Sequence, residues 1–266
     1  MTKSLFRSLR LYLTQAWLSY NGRLAITSPI GYLASKLGFP FFLMLFFIFM
    51  GKFVGFTNPL YIVIGNVLLI PASSSMFGVT NAIGDERGWG TLSYVLGSPA
   101  ARLPVFTGRA FFYILDGFVT AVLGLAIAAG IFHLDLSRVN FAMLLVCIFL
   151  VAVTSSGLGF LFGSISLISR DGWIILNTFL SALYILVGVN FPVEALPTAL
   201  QTIAWGLPLT RGIMAARLAL EGAGWNAISQ LVAGEVVVGG IYILAGYLCF
   251  HLIEKRSMVS GTLDAM

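Results

Sequence analysis

Apolar residues run along this chain in long blocks, without the alternating or single-faced patterns that line a soluble core. A helix needs about 20 apolar residues to cross hydrocarbon. Stretches that reach or approach that length run from Ile30 to Phe53, Pro59 to Val79, Pro104 to Phe132, Val139 to Ile168, Trp173 to Phe191 and Ile228 to Ile253. They predict an all-α membrane protein with six transmembrane helices. Pro40 falls inside the first stretch and is expected to bend it, with neighbouring helices compensating the freed backbone groups.

Two segments outside these blocks have patterns of their own. Between Lys3 and Asn21, the residues Leu5, Leu9, Tyr12, Leu13, Ala16, Trp17 and Tyr20 recur on one helical face, with Lys3, Arg7, Arg10 and Thr14 on another. This predicts an amphipathic interfacial helix within residues 1–28, with Arg for lipid phosphates and Trp at headgroup level. The stretch 192–225 is too apolar for an ordinary loop, yet Pro192, Pro197 and Pro208 break it. Two short helices dipping into the outer leaflet are expected there. The alternative is a seventh span from Leu196 to Leu220. Arg211 and Arg217 oppose it, at about 2.5–3.5 kcal/mol each near a helix centre.

Composition agrees with a membrane solvent. Only 9% of residues are charged and 59% are hydrophobic, whereas soluble domains carry roughly 25% charged residues. The net charge of +5 is spread between apolar blocks, so there is no basic stripe for nucleic acid. Its placement sets orientation. With a cytoplasmic N-terminus, the inner side holds eleven cations: Lys3, Arg7, Arg10, Arg23, Lys36, Arg87, Arg102, Arg109, Arg170, Lys255 and Arg256. The outer side holds four, namely Lys52, Arg138, Arg211 and Arg217. Both termini are therefore expected inside. The opening MTKSLFRSLRLYLTQAW lacks the short apolar core and small-residue cleavage site of a signal peptide.

Catalytic chemistry is not visible. GxxxxGK[ST], HExxH and GxSxG are all missing. His133 and His251 fall at opposite ends of the molecule. Cys147 and Cys249 lie singly within apolar spans, without metal-ligand spacing. No metal, catalytic residue or cofactor is expected on this chain.

The inner loop reads GDERGWGTLSYVLGSPAARLPVFTGRAFF from Gly84 to Phe112. Asp85, Glu86 and Arg87 form a charged head, and Trp89, Leu92, Tyr94 and Val95 an apolar side. Ser98-Pro99 ends the helix, because a residue before proline avoids the helical region. A short cytoplasmic helix over 84–98 could dock another protein, or simply connect two spans along the headgroups.

Here the chain resembles the ABC type-2 permease family. Glu86, Gly90-Thr91-Leu92, Ser98-Pro99 and Arg102 follow the family's signature loop. The outer segment FPVEALPTALQTIAWGLPLTRGIMAARLALEG, from Phe191 to Gly222, is similar to the family's block before its last span. Ser93 departs from the pattern, where relatives often carry an acidic residue. The resemblance implies one transmembrane domain over 1–266 with a fold like that of the eukaryotic G-subfamily of exporters. It implies a permease moving a drug, antibiotic, lipid-like or glycolipid substrate outward across a bacterial inner membrane. Two copies of a separate ATPase would bind ATP and Mg, and a second permease subunit would complete a homodimer or heterodimer. The loop would be the coupling helix, with Asp85, Glu86, Arg87, Gly90, Thr91, Leu92, Ser98, Pro99 and Arg102 facing the ATPase.

In that fold the path is lined mainly by the second and fifth spans, which makes Ser73, Ser74, Met76, Phe77, Asn177, Phe179, Tyr184 and Asn190 candidates. The same small polar residues serve ordinary helix packing equally well. Two carboxylates also lie within spans, where charge is expensive. Asp116 is about 18 Å into the third at 1.5 Å per residue, and Glu235 sits in the outer part of the sixth. They are expected either to pair within the bundle or to meet a cationic or polar cargo. The competing function is a secondary transporter with Asp116 and Glu235 as a proton relay. That design needs repeated broken spans, which the sequence does not display.

Overall fold

The computed structural model describes residues 10, 12, 14–18, 28, 30–31, 34, 38–55, 59–88, 102–167 and 172–260. Among them no strand occurs. The helices are α1 (Phe39–Phe53), α2 (Pro59–Gly88), α3 (Arg102–Phe132), α4 (Phe141–Ser166), α5 (Gly172–Leu186), α6 (Thr198–Gly206), α7 (Thr210–Leu220) and α8 (Trp225–Ser260). A 3-10 turn, Val193–Ala195, precedes α6.

Four helices, α2, α3, α4 and α8, are long and apolar enough to cross a membrane. The other two predicted spans appear as shorter apolar helices. α1 and α5 have 15 residues each, about 22 Å against a hydrocarbon core of about 30 Å. Pro40 occupies the first turn of α1, and much of the stretch between Ile30 and Pro40, which it was expected to bend, lies outside the described residues. Gly38 just before α1 is itself in the helical region. α5 stops at Leu186, five residues before the predicted end at Phe191, because Gly188 turns the chain at φ +75°.

α2 is the central helix. Of its most apolar eighteen residues 83% are buried, against 17% in α8. Val63, Ile64, Val67 and Leu68 are fully enclosed. Pro71 is accommodated inside it, and Gly117 of α3 lies directly on that turn, so that a Cβ there would come within 3.0 Å of Pro71 Cα and 2.9 Å of Ser74 Cβ. Among its polar residues, Ser73 donates to the Ile70 carbonyl at 3.1 Å and Thr80 to the Gly159 carbonyl at 3.1 Å, whereas the buried Ser75 hydroxyl has no hydrogen-bond partner among the described residues. α2 also continues past the predicted end at Val79, running through Gly84 to Gly88.

Helix α4 packs on α2 through glycine. A Cβ at Gly159 would sit 2.8 Å from Val79 Cβ and 2.9 Å from the Met76 carbonyl. α8 covers the opposite side of α4, with the face Val237, Ile241, Leu244 and Leu248 left exposed, as suits a lipid-facing surface.

Candidate functional site

The end of the bundle where α2 and α3 flank the predicted loop is where a docking element would stand. Residues 85–88 continue α2 and Arg102 opens α3. The first residues of the predicted helix over 84–98 are therefore continuous with α2. Gly90, Thr91, Leu92, Ser98 and Pro99 lie outside the described residues, and the side chains of Asp85, Glu86, Arg87 and Arg102 do too.

Next to this end, residues 14–18 are helical, in the segment where the amphipathic pattern predicts it. Gly108 of α3 packs against the Tyr12 backbone, and the Tyr12 and Phe111 rings lie 5.6 Å apart. Arg109 joins the layers. Its Nε donates to Gln15 Oε1 at 3.2 Å, and its guanidinium reaches the Ala82 carbonyl of α2 at 3.4 Å. The N-terminal helix is thus tied to the foot of both helices that flank the loop.

The candidate path residues are not gathered in one cavity of this chain. Ser74 faces α3 and donates to Asp116 Oδ2 at 3.4 Å. Met76 is fully buried against α4 and Phe77 is half-buried beside the core. Phe179 packs on Phe162 at 5.1 Å, and Tyr184 stacks on Phe47 of α1 at 6.2 Å. Asn190 accepts from Asn66 Nδ2 at 2.9 Å. Asn177 is half-buried, with its side-chain Nδ2 enclosed and lacking a hydrogen-bond partner. The outward face of α5 is different: Ile174, Thr178, Ser181 and Ile185 share one exposed stripe. Residues i, i+4, i+7 and i+11 lie on one side of a helix.

The two carboxylates within spans are held separately. Asp116 sits on the α2–α3 contact with Ser74. Glu235 is completely buried, and its oxygens accept from Leu209 N–H at 2.6 Å, Gly212 N–H at 3.1 Å and Thr154 Oγ1 at 2.9 Å.

The outer segment contains α6 and α7, of 9 and 11 residues. The segment from Leu196 to Leu220 is thus two short helices and not one continuous helix. α7 is packed deep in the bundle: Gly212, Ile213, Ala215, Ala216 and Ala219 are buried. The Leu207-Pro208-Leu209-Thr210 block makes its entrance. Thr210 Oγ1 donates to the Ala204 carbonyl at 2.6 Å, and Leu209 takes φ +91°. Near the other end, Asn140 caps α4 through Met143 N–H and donates its own N–H to the Ala219 carbonyl at 2.9 Å.

Charge counting alone missed what Arg217 does. Its guanidinium donates to the Gly188 and Val189 carbonyls at 2.7 and 2.9 Å and lies 3.3 Å over the Tyr61 ring. The cation thus fastens the turn that follows α5 by satisfying two of its carbonyls. The alanine-rich setting of Arg217 was the available signal, since small residues on either side permit deep burial of its helix.

A bundle of long apolar helices, with a short buried helix inserted before the last one, defines a polytopic membrane protein. Residues 13–220 match the ABC-2 type transporter family. The chain belongs to that family, as its two motifs imply, and is the membrane subunit of an ABC transporter. Members of the family are not themselves catalytic; ATP hydrolysis belongs to separate ATPase subunits. A comparison with curated proteins returns no relative.

Proposed function

We propose that this chain is the permease of an ABC exporter, moving a hydrophobic or amphipathic substrate out of a bacterial cell. Family membership over residues 13–220 carries the reading. α1 and α5 are taken as the first and fifth of six spans, and both termini stand in the cytoplasm. The inner loop after α2, with Glu86, Gly90-Thr91-Leu92 and Ser98-Pro99, receives force from two ATPase subunits that hold ATP and Mg. Arg109 supports this by joining the N-terminal helix to the foot of α2. A second permease, identical or related, completes the transporter. A path between two permeases uses outward-facing residues, so the α5 stripe of Ile174, Thr178, Ser181 and Ile185 is the stretch we assign to it.

The relay alternative gains no support from the carboxylates. Asp116 and Glu235 have different partners, and both Glu235 oxygens are occupied by donors. Two measurements test the exporter. Tagged permease should retain a soluble ATPase through purification, and Glu86→Ala or Gly90→Val should abolish transport while leaving the permease in the membrane. Transport that persists in cells lacking every candidate ATPase, or that an uncoupler stops at constant ATP, overturns the reading.

A further inference from the structure

We propose that Glu235 is the positioning residue of the outer segment: reaching from α8, it caps the N-terminus of α7 and thereby sets where the outer ends of α2 and α5 stand. The first turn of a helix leaves backbone N–H groups without partners. A local Ser, Thr, Asp or Asn usually supplies one. Here the capping position holds Leu209, which has no side chain to offer, and Thr210 spends its hydroxyl on the Ala204 carbonyl. The Leu209 and Gly212 N–H groups instead converge on the Glu235 carboxylate at 2.6 and 3.1 Å. Thr154 of α4 contributes a third donor. One side chain therefore fastens α7, α4 and α8 together.

Two glycines make that approach possible. A Cβ at Gly212 would collide with the Val151 side chain, and one at Gly234 would lie 2.7 Å from Arg211 Cδ. Five residues beyond Gly212, Arg217 grips Gly188, Val189 and Tyr61. Rotation or fraying at the start of α7 is consequently passed to the end of α5 and the start of α2. The Leu209 and Gly212 N–H groups can only donate and face different oxygens of Glu235, so the site calls for two accepting oxygens. Glutamine has the same shape but turns one of them into a donor facing an N–H.

The cap stands whether or not the chain exports anything; only its effect on an outer mouth rests on the permease reading. The test is amide hydrogen exchange on the purified full chain in lipid nanodiscs. In wild type, peptides covering 207–213 should be much better protected than those covering the exposed part of α6. In Glu235→Gln they should exchange roughly 10- to 100-fold faster, with 187–190 loosened as well and the middle of α2 unchanged. Thr154→Val should give a smaller change in the same peptides. A space-filling role would leave Gln silent. Wild-type exchange at 207–213 as fast as in α6, or equal exchange in wild type and Glu235→Gln, overturns the cap. The wild-type comparison decides the matter even where variants fail to accumulate. Lost ATPase coupling with unchanged exchange would count against the cap and leave the permease reading intact.

Discussion

Asn66 of α2 and Asn190 beyond α5, 124 positions apart, share a hydrogen bond of 2.9 Å. The same Asn66 amide donates to the Ile62 carbonyl at 2.9 Å, so both of its N–H groups are used. An amide pair in this setting clamps α2 to the segment that follows α5. Replacing either residue with Leu should cost about 1–2 kcal/mol, because the remaining amide loses its partner. The double Leu variant should cost less than the sum of the two. Thermal unfolding of the four proteins in one detergent checks this, and strict additivity would remove the clamp.

How much of this was legible depends on whether a property belongs to one helix or to two. Block length located the helices, because a span must be apolar along its whole length. The broken outer segment was legible from its prolines, because proline restricts its own helix. What faces each polar residue was not legible. Asn190 looked available for a path, yet its partner lies on a helix more than a hundred residues earlier. Glu235 offered no local clue either. Its donors are backbone N–H groups of α7, which carry no signature in residue identity. The foot of α2 was misjudged for a related reason: a hydropathy block ends at the membrane surface, while a helix ends only where its backbone does.

Arg217 should be irreplaceable by Lys. A planar guanidinium can meet two carbonyls and cover a ring at once, whereas an ammonium is a point charge. Arg217→Met strands the Gly188 and Val189 carbonyls, at about 2–4 kcal/mol in total. Arg217→Lys should recover only part of that. The comparison is made by melting temperature, with limited proteolysis at 187–192 as the local readout. Full recovery by Lys would show that charge alone suffices.

Glycine substitutions should divide by what a Cβ would meet. At Gly65 it would run into the Val189 carbonyl, and at Gly78 into the Tyr113 ring. At Gly130 and Gly240 nothing lies within 4 Å. Gly65→Ala should therefore fail to accumulate, and Gly78→Ala should lose stability as the ring is displaced. Gly240→Ala should be neutral or gain up to about 1 kcal/mol, since alanine restricts the unfolded chain. Membrane yield and melting temperature distinguish the two groups.

Asp116 separates a packing role from a transport role. It stands one residue before Gly117, which packs on Pro71 and Ser74 of α2, and within 3.4 Å of Ser74 Oγ. Ser74 donates to Asp116 there, and an asparagine oxygen accepts as well as a carboxylate oxygen. Removing the charge also lowers the cost of inserting the helix, which is about 2.5–3.5 kcal/mol for a central charge. Asp116→Asn should therefore reach the membrane at least as well as wild type, unfold within about 1 kcal/mol of it, and keep transport. Asp116→Leu keeps the bulk but removes the acceptor, and should be less stable than the Asn variant. Stability intact in Asp116→Asn with transport lost would mean that the charge itself meets cargo. The residue would then belong to the path despite its place between two helices.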